Sequence, residues 1–382
     1  MAIPLLKLGK KLGQVRALMA GSDIDAWIIY DFEQSDPTGT ALLGPLTPHS
    51  RQYAIIIARD DPVVIVKSGI ESQALAKLGS NLRAVNYRTQ GEFKQAVHQV
   101  AAGYARIAAN YSQNPQTDVL PAGRFELLRS ALPSAQWVPG ENLMQIIHSV
   151  LTEAQLASHQ RAVNRCTQIM EQALSFIAER ISAVREQDVA GYILSRFHEE
   201  ELTTSDPPMA AIQANTANPH YTAGSAVIRK NQFVMIDLWA KWDIFADITW
   251  MAYTGSKIPS DIQAAFEAVL DARKAAITSI KPNIPGSIPD TKARETLIAA
   301  GYEAAILHRT GHSIDTTVHG KGANLDAYEM PESRLLMPNL VVSVEPGVYF
   351  PNRFGVRSEI DVAVTATGCK VTTPAQDSIL KI

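Results

Sequence analysis

Cysteine is nearly absent from this chain of 382 residues, which carries only Cys166 and Cys369. No Cys-x-x-Cys pair occurs, so a disulfide framework is not indicated, and two thiols in a reducing compartment are expected. An excess of one charge is also missing. The net charge is −3, with both signs spread along the chain, which excludes the basic stripe of a nucleic-acid binder. Charged residues make up only 19%, a composition of a compact folded protein rather than of a solvating tail. Long apolar runs are lacking too. The opening Met1-Ala-Ile-Pro-Leu-Leu-Lys-Leu-Gly-Lys-Lys11 is interrupted by Pro4 and has no signal-peptide core. No run reaches the length of a membrane helix. Internal repeats and low-complexity segments are not evident. These absences predict a soluble cytoplasmic protein with neither nucleic acid nor membrane as a partner.

Hydrophobic residues make up 46%, enough for a large core and two domains. The first part alternates helical and strand patterns. Lys10–Met19 reads as a helix, Asp25–Tyr30 as a buried strand. Tyr53–Ala58 and Val63–Lys67 read as strands separated by the turn signal Arg59-Asp-Asp-Pro62. Leu82–Tyr87 is a further strand, and Glu92–Val100 and Ala122–Ser130 are helical. This is an α/β module, assigned to residues 1–148. A long helix capped by Thr152 and running to about Ile181 opens the second domain, residues 149–382. Helices at Gln187–Glu200, Asp261–Ile277 and Thr291–Ala300 follow, interspersed with strands.

The strands of the second domain carry acids where acids are unfavourable. Phe233-Val-Met-Ile-Asp237-Leu-Trp239 is apolar on both faces, so Asp237 is expected to be buried. Asp247 follows ten residues later, and a hairpin centred near Trp242 would set the two acids directly opposite each other. Glu345 and Glu359 stand fourteen apart around Pro351-Asn352-Arg353, and a second hairpin would oppose them likewise. Opposed residues have Cβ atoms roughly 4.5–5.5 Å apart, where two ionised carboxylates repel. A salt bridge could rescue one buried acid, but four such rescues are needed here. Cations between the acids answer the problem more simply.

Histidines offer further ligands. His308, His312 and His319 fall within twelve residues bracketed by glycines, and His220 ends a polar loop before the first acidic strand. His49, His98, His148, His159 and His198 sit in ordinary helix or loop contexts and read as packing or surface residues. Four carboxylates and one imidazole suit two divalent ions, with Mn favoured by the oxygen-rich set and Co or Zn as alternatives. Two such ions polarise a carbonyl and activate water, a hydrolase arrangement.

Asp237-(spacer)-Asp247-x-Thr249, then Thr310-Gly-His312, then Glu345-Pro-Gly-x-Tyr349, then Gly355-Val-Arg357-x-Glu359 resembles the pita-bread metallopeptidases. Within that family the pattern looks like the proline-specific branch of prolidase (Xaa-Pro dipeptidase) and aminopeptidase P, which carry a smaller N-terminal α/β domain of creatinase/prolidase type. The resemblance implies cleavage of the Xaa-Pro bond in dipeptides or short peptides, two bound metals and a homodimer. It implies that Asp237 chelates one metal, Asp247 and Glu359 bridge both, and His312 and Glu345 complete the second. Glu345 would also shuttle a proton. His220 and His319 would contact substrate or the tetrahedral intermediate, and His308 and Arg357 would line the proline-binding region. Thr249 would offer its hydroxyl to the first metal or its water.

Four departures from the family pattern stand out. The Asp237–Asp247 interval is one residue short, Trp250 replaces the usual arginine, and Asp315 replaces the usual glycine after the ligand histidine. The stretch Gly320-Lys-Gly-Ala-Asn-Leu-Asp326 also lacks the acid that commonly follows the histidine. These changes are expected to touch the substrate pocket more than the metal ligands. They leave open a hydrolase of a non-peptide C–N bond, creatinase- or ectoine-hydrolase-like. A non-catalytic binding module is the remaining alternative, disfavoured by five retained ligands.

Overall fold

A computed structural model describes residues 9–44, 50–71 and 82–382. The apolar residues before Lys7, and His49, lie outside the described residues. The chain divides into two compact units, Met1–His148 and Ser149–Ile382.

In the first unit, β1 (Ala26–Asp31), β2 (Tyr53–Ala58), β3 (Val64–Ser68), β4 (Arg83–Tyr87), β5 (Arg106–Ala109) and β6 (Gln136–Pro139) form one mixed sheet in the order β4-β3-β2-β1-β5-β6. Strands β1, β2 and β3 are wholly buried, as continuous Ile- and Val-rich runs require. Helices α1 (Gly9–Gly21), α2 (Pro37–Leu43), α3 (Gln90–Ala101), α4 (Ala122–Ala131) and α5 (Glu141–His148) belong to this unit. Phe93, Val97 and Leu128 of α3 and α4 pack with Ile28, Ile56 and Val66 of the sheet in one apolar cluster.

The second unit opens with α6 (Glu153–Glu179), begun by a reciprocal pair of hydrogen bonds between Thr152 and Gln155, which satisfies donors a helix start leaves open. Helix α7 (Glu186–Glu199) lies beside it. Their apolar stripe, including Val163, Cys166, Met170, Ile193 and Phe197, covers Val234, Ile236, Leu238 and Ile248 on one face of a sheet. That sheet runs β16-β9-β8-β7, with β7 at Met209–Ile212, β8 at Phe233–Lys241, β9 at Phe245–Tyr253 and β16 at Leu380–Lys381. The helix-covered face is apolar, so the acids of β8 and β9 fall on the other face.

A second sheet, β10-β11-β14-β15, is built from Ser313–Ile314, Val341–Val344, Ile360–Val364 and Cys369–Val371. Between β11 and β14 the chain makes the hairpin β12 (Gly347–Phe350) to β13 (Phe354–Arg357), turning at Asn352 with a positive φ of 61°. Asparagine tolerates that left-handed conformation better than most residues. Helices α8 (Ser260–Ser279) and α9 (Ser287–Ala299) complete the unit. Both cysteines are free thiols. No described helix is long and apolar enough to cross a membrane.

Candidate active site

The register of the first acidic hairpin differs from expectation. Asp237 pairs with Thr249 and Asp247 pairs with Trp239, so the two aspartates are diagonal rather than directly opposed. The turn is centred one residue later than expected, and Lys241 and Phe245 close it as the last pair. Moving the turn centre by one residue displaces the pairing by two, and with the even separation both acids stay on one face, so neither carboxylate leaves the site. The second hairpin keeps its expected register. Val344 pairs with Ile360 and Gly347 with Arg357, which places Glu345 and Glu359 across from each other where the chain passes from one sheet to the next.

His312 enters just before β10, and its amide donates to Ser343 Oγ at 3.0 Å. Gly311 before it lies so close to the Ser343 carbonyl that a Cβ there would collide with it. His312 Nδ1 lies 3.2 Å from the Ser313 carbonyl, while Nε2 lies 3.6 Å from Asp247 Oδ2 and 3.4 Å from Glu345 Oε1. A carbonyl only accepts, so the tautomer protonated at Nδ1 suits this contact and leaves the Nε2 lone pair toward the acids. Burial, with His319 beside it, holds the imidazole well below its usual pKa, so it is neutral and does not neutralise the carboxylates.

Asp237, Asp247 and Glu359 are buried and Glu345 is partly so, and withdrawal from water drives each pKa up. Asp247 is raised well above its usual value by burial and by Glu359, Asp237, Asp361 and Glu345 around it. Glu359 is raised well above its usual value by burial and by Glu345 and Asp237. Glu345 is pushed up to about 7, chiefly by burial. Arg357 meets Asp237 in a close ion pair and lies 3.9 Å from Glu345. Its Nε donates to Thr249 Oγ1 at 3.1 Å, and that hydroxyl donates to Glu359 Oε2 at 2.6 Å. Thr249 therefore directs its hydrogen at a carboxylate. Arg357 sits buried beneath the acids, with its guanidinium engaged by them.

Two observations show that the residues fit a metal. Ligand atoms of Asp247, His312 and Glu359 lie within 4.8 Å of one another. The outer oxygens Asp237 Oδ1 and Asp247 Oδ1 are buried without a hydrogen-bond partner, an arrangement that is costly unless something fills it. Of the five expected ligands, the structure gathers these three most tightly. Glu345 flanks them, and Asp237 is drawn toward Arg357.

The centre opens into a cleft of about 990 Å³. His220, His308 and His319 all line it. The His319 ring meets His312 edge-on with centroids 4.4 Å apart, and His308 Nε2 lies 2.8 Å from Tyr349 Oη. Burial, with positive neighbours adding to it, lowers His308 to about 3 and also lowers His319.

Two expected influences on the pocket are corrected. Trp250 pairs with Ile236 and belongs to the apolar cluster under α6 and α7, so it lies on the face of β9 away from the acids. Asp315 does not line the cleft. Its Oδ1 accepts from the Thr317 amide at 2.8 Å and hydroxyl at 2.9 Å. Its Oδ2 accepts from Ser149 Oγ at 2.6 Å and the Lys321 amide at 2.9 Å. Asp315 therefore folds the loop that carries His319. Sequence reading missed Asp361, whose Oδ2 accepts the Asp247 amide at 2.9 Å and stands 4.0 Å from His159. The signal was present: Asp361 lies two residues beyond Glu359 in an otherwise apolar strand. His159 is packed as expected, held by the Phe245 carbonyl at 2.7 Å and Thr372 Oγ1 at 2.8 Å.

Residues 157–366 match metallopeptidase family M24, and residues 11–149 match the creatinase/prolidase N-terminal domain. Among solved structures, the chain is similar to dipeptidase PepE from Mycobacterium ulcerans, with a TM-score of 0.75, 21% identity and coverage of 98% of this chain and 97% of that one. It is also similar to an Xaa-Pro dipeptidase from Bacillus anthracis, with a TM-score of 0.68, 20% identity and coverage of 98% and 99%. An X-Pro aminopeptidase from Thermotoga maritima MSB8 matches with a TM-score of 0.65, 21% identity and coverage of 97% and 99%. With its motifs on these strands and its match spanning more than half of its length, the chain belongs to metallopeptidase family M24, preceded by a creatinase/prolidase N-terminal domain.

Proposed function

We propose that this peptidase hydrolyses the bond between a residue and a following proline in dipeptides or short peptides, with two divalent cations held by Asp237, Asp247, His312, Glu345 and Glu359. The observation that carries the reading is a group of acids facing Nε2 of His312, with two buried carboxylate oxygens unpartnered. Mostly oxygen donors with one imidazole favour Mn, with Co or Zn as alternatives. When bound, such ions supply Lewis acidity, lowering the pKa of water and drawing charge from a carbonyl oxygen.

The remaining chemistry falls to side chains. Glu345 takes the proton of the attacking water and returns it to the proline nitrogen, which must be protonated to leave. His319 and His220, on the cleft wall, donate hydrogen bonds to the oxygen on which negative charge develops. His308, held against Tyr349, forms part of the wall facing the proline ring. Arg357 holds Asp237 and Thr249 in position. Asp315 and Trp250, now accounted for by the loop and the core, no longer favour a non-peptide substrate. A homodimer rests on the family resemblance and a reducing cytoplasm on the scarcity of cysteine and of long apolar runs; sedimentation would check the assembly.

The test is hydrolysis of Ala-Pro, Leu-Pro and a longer Xaa-Pro peptide by chelator-stripped protein, with and without Mn(II). Metal-restored cleavage is expected. Metal uptake without cleavage of any of these would overturn the substrate, and failure to bind metal would overturn the centre.

A further inference from the structure

Asp247 lies in β9, and Glu359 immediately precedes β14. These strands belong to different sheets, so no common ladder fixes the distance between the two acids. One edge of β9 pairs with β8 along its whole length. On the other edge β16 reaches only Ala252 and Tyr253, which leaves the Asp247 amide without a strand to bond. Asp361 meets it, its Oδ2 accepting that amide at 2.9 Å. Further along, the Glu359 amide approaches the Thr249 carbonyl at 3.4 Å, and the Thr249 hydroxyl donates to Glu359 Oε2 at 2.6 Å. The pairs Asp247–Asp361 and Thr249–Glu359 thus follow an antiparallel register between the two sheets. Their rungs differ. At Thr249 the rung runs from backbone to backbone. At Asp247 a side chain is inserted. Backbone rungs hold neighbouring strands about 4.7–4.9 Å apart, and an interposed carboxylate must hold them wider. The segments therefore diverge toward Asp247, where room is needed between carboxylates.

The cost of this rung points the same way. Asp361 is fully buried, and its Oδ1 has no partner. Among the described residues, the Asp247 amide is the one hydrogen-bond donor that reaches the carboxylate. The Asp361 backbone is itself fixed, its amide donating to Thr373 Oγ1 at 2.9 Å and its carbonyl accepting from the Thr372 amide at 2.9 Å. A carboxylate buried with a single donor is unfavourable, and an apolar residue of similar volume would serve the fold as well or better.

We propose that Asp361 is a positioning residue for the metal centre. Its carboxylate is a spacer between β9 and β14 that sets the separation of Asp247 and Glu359, and its reach matters rather than its charge. The inference rests on the assignment of the metal centre above.

The experiment is calorimetric titration of chelator-stripped protein with Mn(II), for wild type and three variants. Asp361→Asn keeps an acceptor oxygen at the same reach and removes the charge. Asp361→Glu keeps the charge and lengthens the rung by one methylene. Asp361→Ala removes the rung. Asp361→Asn is expected to bind Mn(II) as wild type does. Asp361→Glu and Asp361→Ala should lose about 10–100-fold in affinity, the range typical when a group that orients a metal ligand is removed. With Ala-Pro as substrate, kcat should fall in those two variants at limiting Mn(II) while KM stays unchanged. Melts of the metal-free variants identify those that fold. If Asp361→Ala does not, the Asn and Glu variants decide, because spacing and charge predict opposite rankings for them.

Asp361→Glu binding better than Asp361→Asn, Asp361→Asn falling as far as Asp361→Ala, or all variants binding like wild type overturns the proposal. The titration needs no substrate, so an error in the proline-bond reading leaves it readable. Wild type that takes up no Mn(II) defeats the metal centre, and the positioning role with it. Uptake by wild type that the variants all share defeats the positioning role alone.

Discussion

Asp247 shows how little a buried side chain's own chemistry explains without a ligand. Four other carboxylates crowd it, its Oδ1 has no partner, and the imidazole beside it is neutral. Replacing it with the isosteric, uncharged asparagine removes repulsion and a metal ligand together. Asp247→Asn should therefore raise the melting temperature of the metal-free protein while lowering kcat/KM by at least about 10²-fold, the range seen when one preorganised polar group is removed from a reacting centre. Thermal melts after chelation, with turnover measured alongside, check both halves. A variant with full activity would remove Asp247 from the centre. Arg357 should behave in the opposite way. It is the cation that compensates Asp237, and removing one partner of a buried pair leaves the other charge exposed to a low dielectric. Arg357→Met should cost about 3–5 kcal/mol of stability in urea unfolding, even before activity is measured.

At the scale of elements, the loop from His312 to Lys321 depends on Asp315. This carboxylate accepts from Thr317, Ser149 and Lys321, so Asp315→Ala leaves the buried Ser149 hydroxyl and the part-buried donors of Thr317 and Lys321 without their acceptor and should lower stability by about 2 kcal/mol. Because the loop carries His319, kcat should fall as well, while the ranking of substrates stays as in wild type. A changed ranking would return Asp315 to the pocket. The same residue shows where sequence reading stops. Long periodic segments were legible: the helix after Thr152, the apolar strands of the first unit and both acidic hairpins follow from patterning. Residue period placed Asp237 and Asp247 on one face, but turn geometry set the register, and the turn came one residue late. The four-residue strands Arg106–Ala109 and Gln136–Pro139 and the helix Pro37–Leu43 are too short for a period to emerge. Asp315 and Trp250 looked like pocket residues because they depart from the family pattern close to the ligands in sequence. Asp315 is held by loop donors and Trp250 faces the core, and neither orientation is encoded by adjacency.

Across the whole molecule, buried titratable groups pull stability in opposite directions with pH. His159 is held down to about 4, mainly by burial, against an unfolded value near 6.5. The unfolded chain therefore binds its proton more readily, so this stabilising contribution is present above about pH 6.5 and lost as pH falls toward 4. The acids Asp247, Glu359 and Asp361 carry the opposite sign. Burial raises all three well above their unfolded values near 4. The folded metal-free protein then holds protons that the unfolded chain has released, and stability falls as pH rises through that window. Between about pH 4 and 6.5 the two groups oppose each other. Above about 6.5 the histidine contribution is constant, and only the acids continue to titrate. Metal-free protein should therefore lose melting temperature steadily as pH is raised from 6.5 to 8.5. Divalent cations that bind the folded acids stabilise by mass action, compete with those protons, and remove the reason for the slope. With Mn(II) added, the melting temperature should rise at every pH and most at the alkaline end, giving a flat profile. Calorimetry across that range, with and without the ion, is the check. Parallel profiles with and without metal would mean that the ion sits away from these carboxylates, and the assignment of the centre would fall with them.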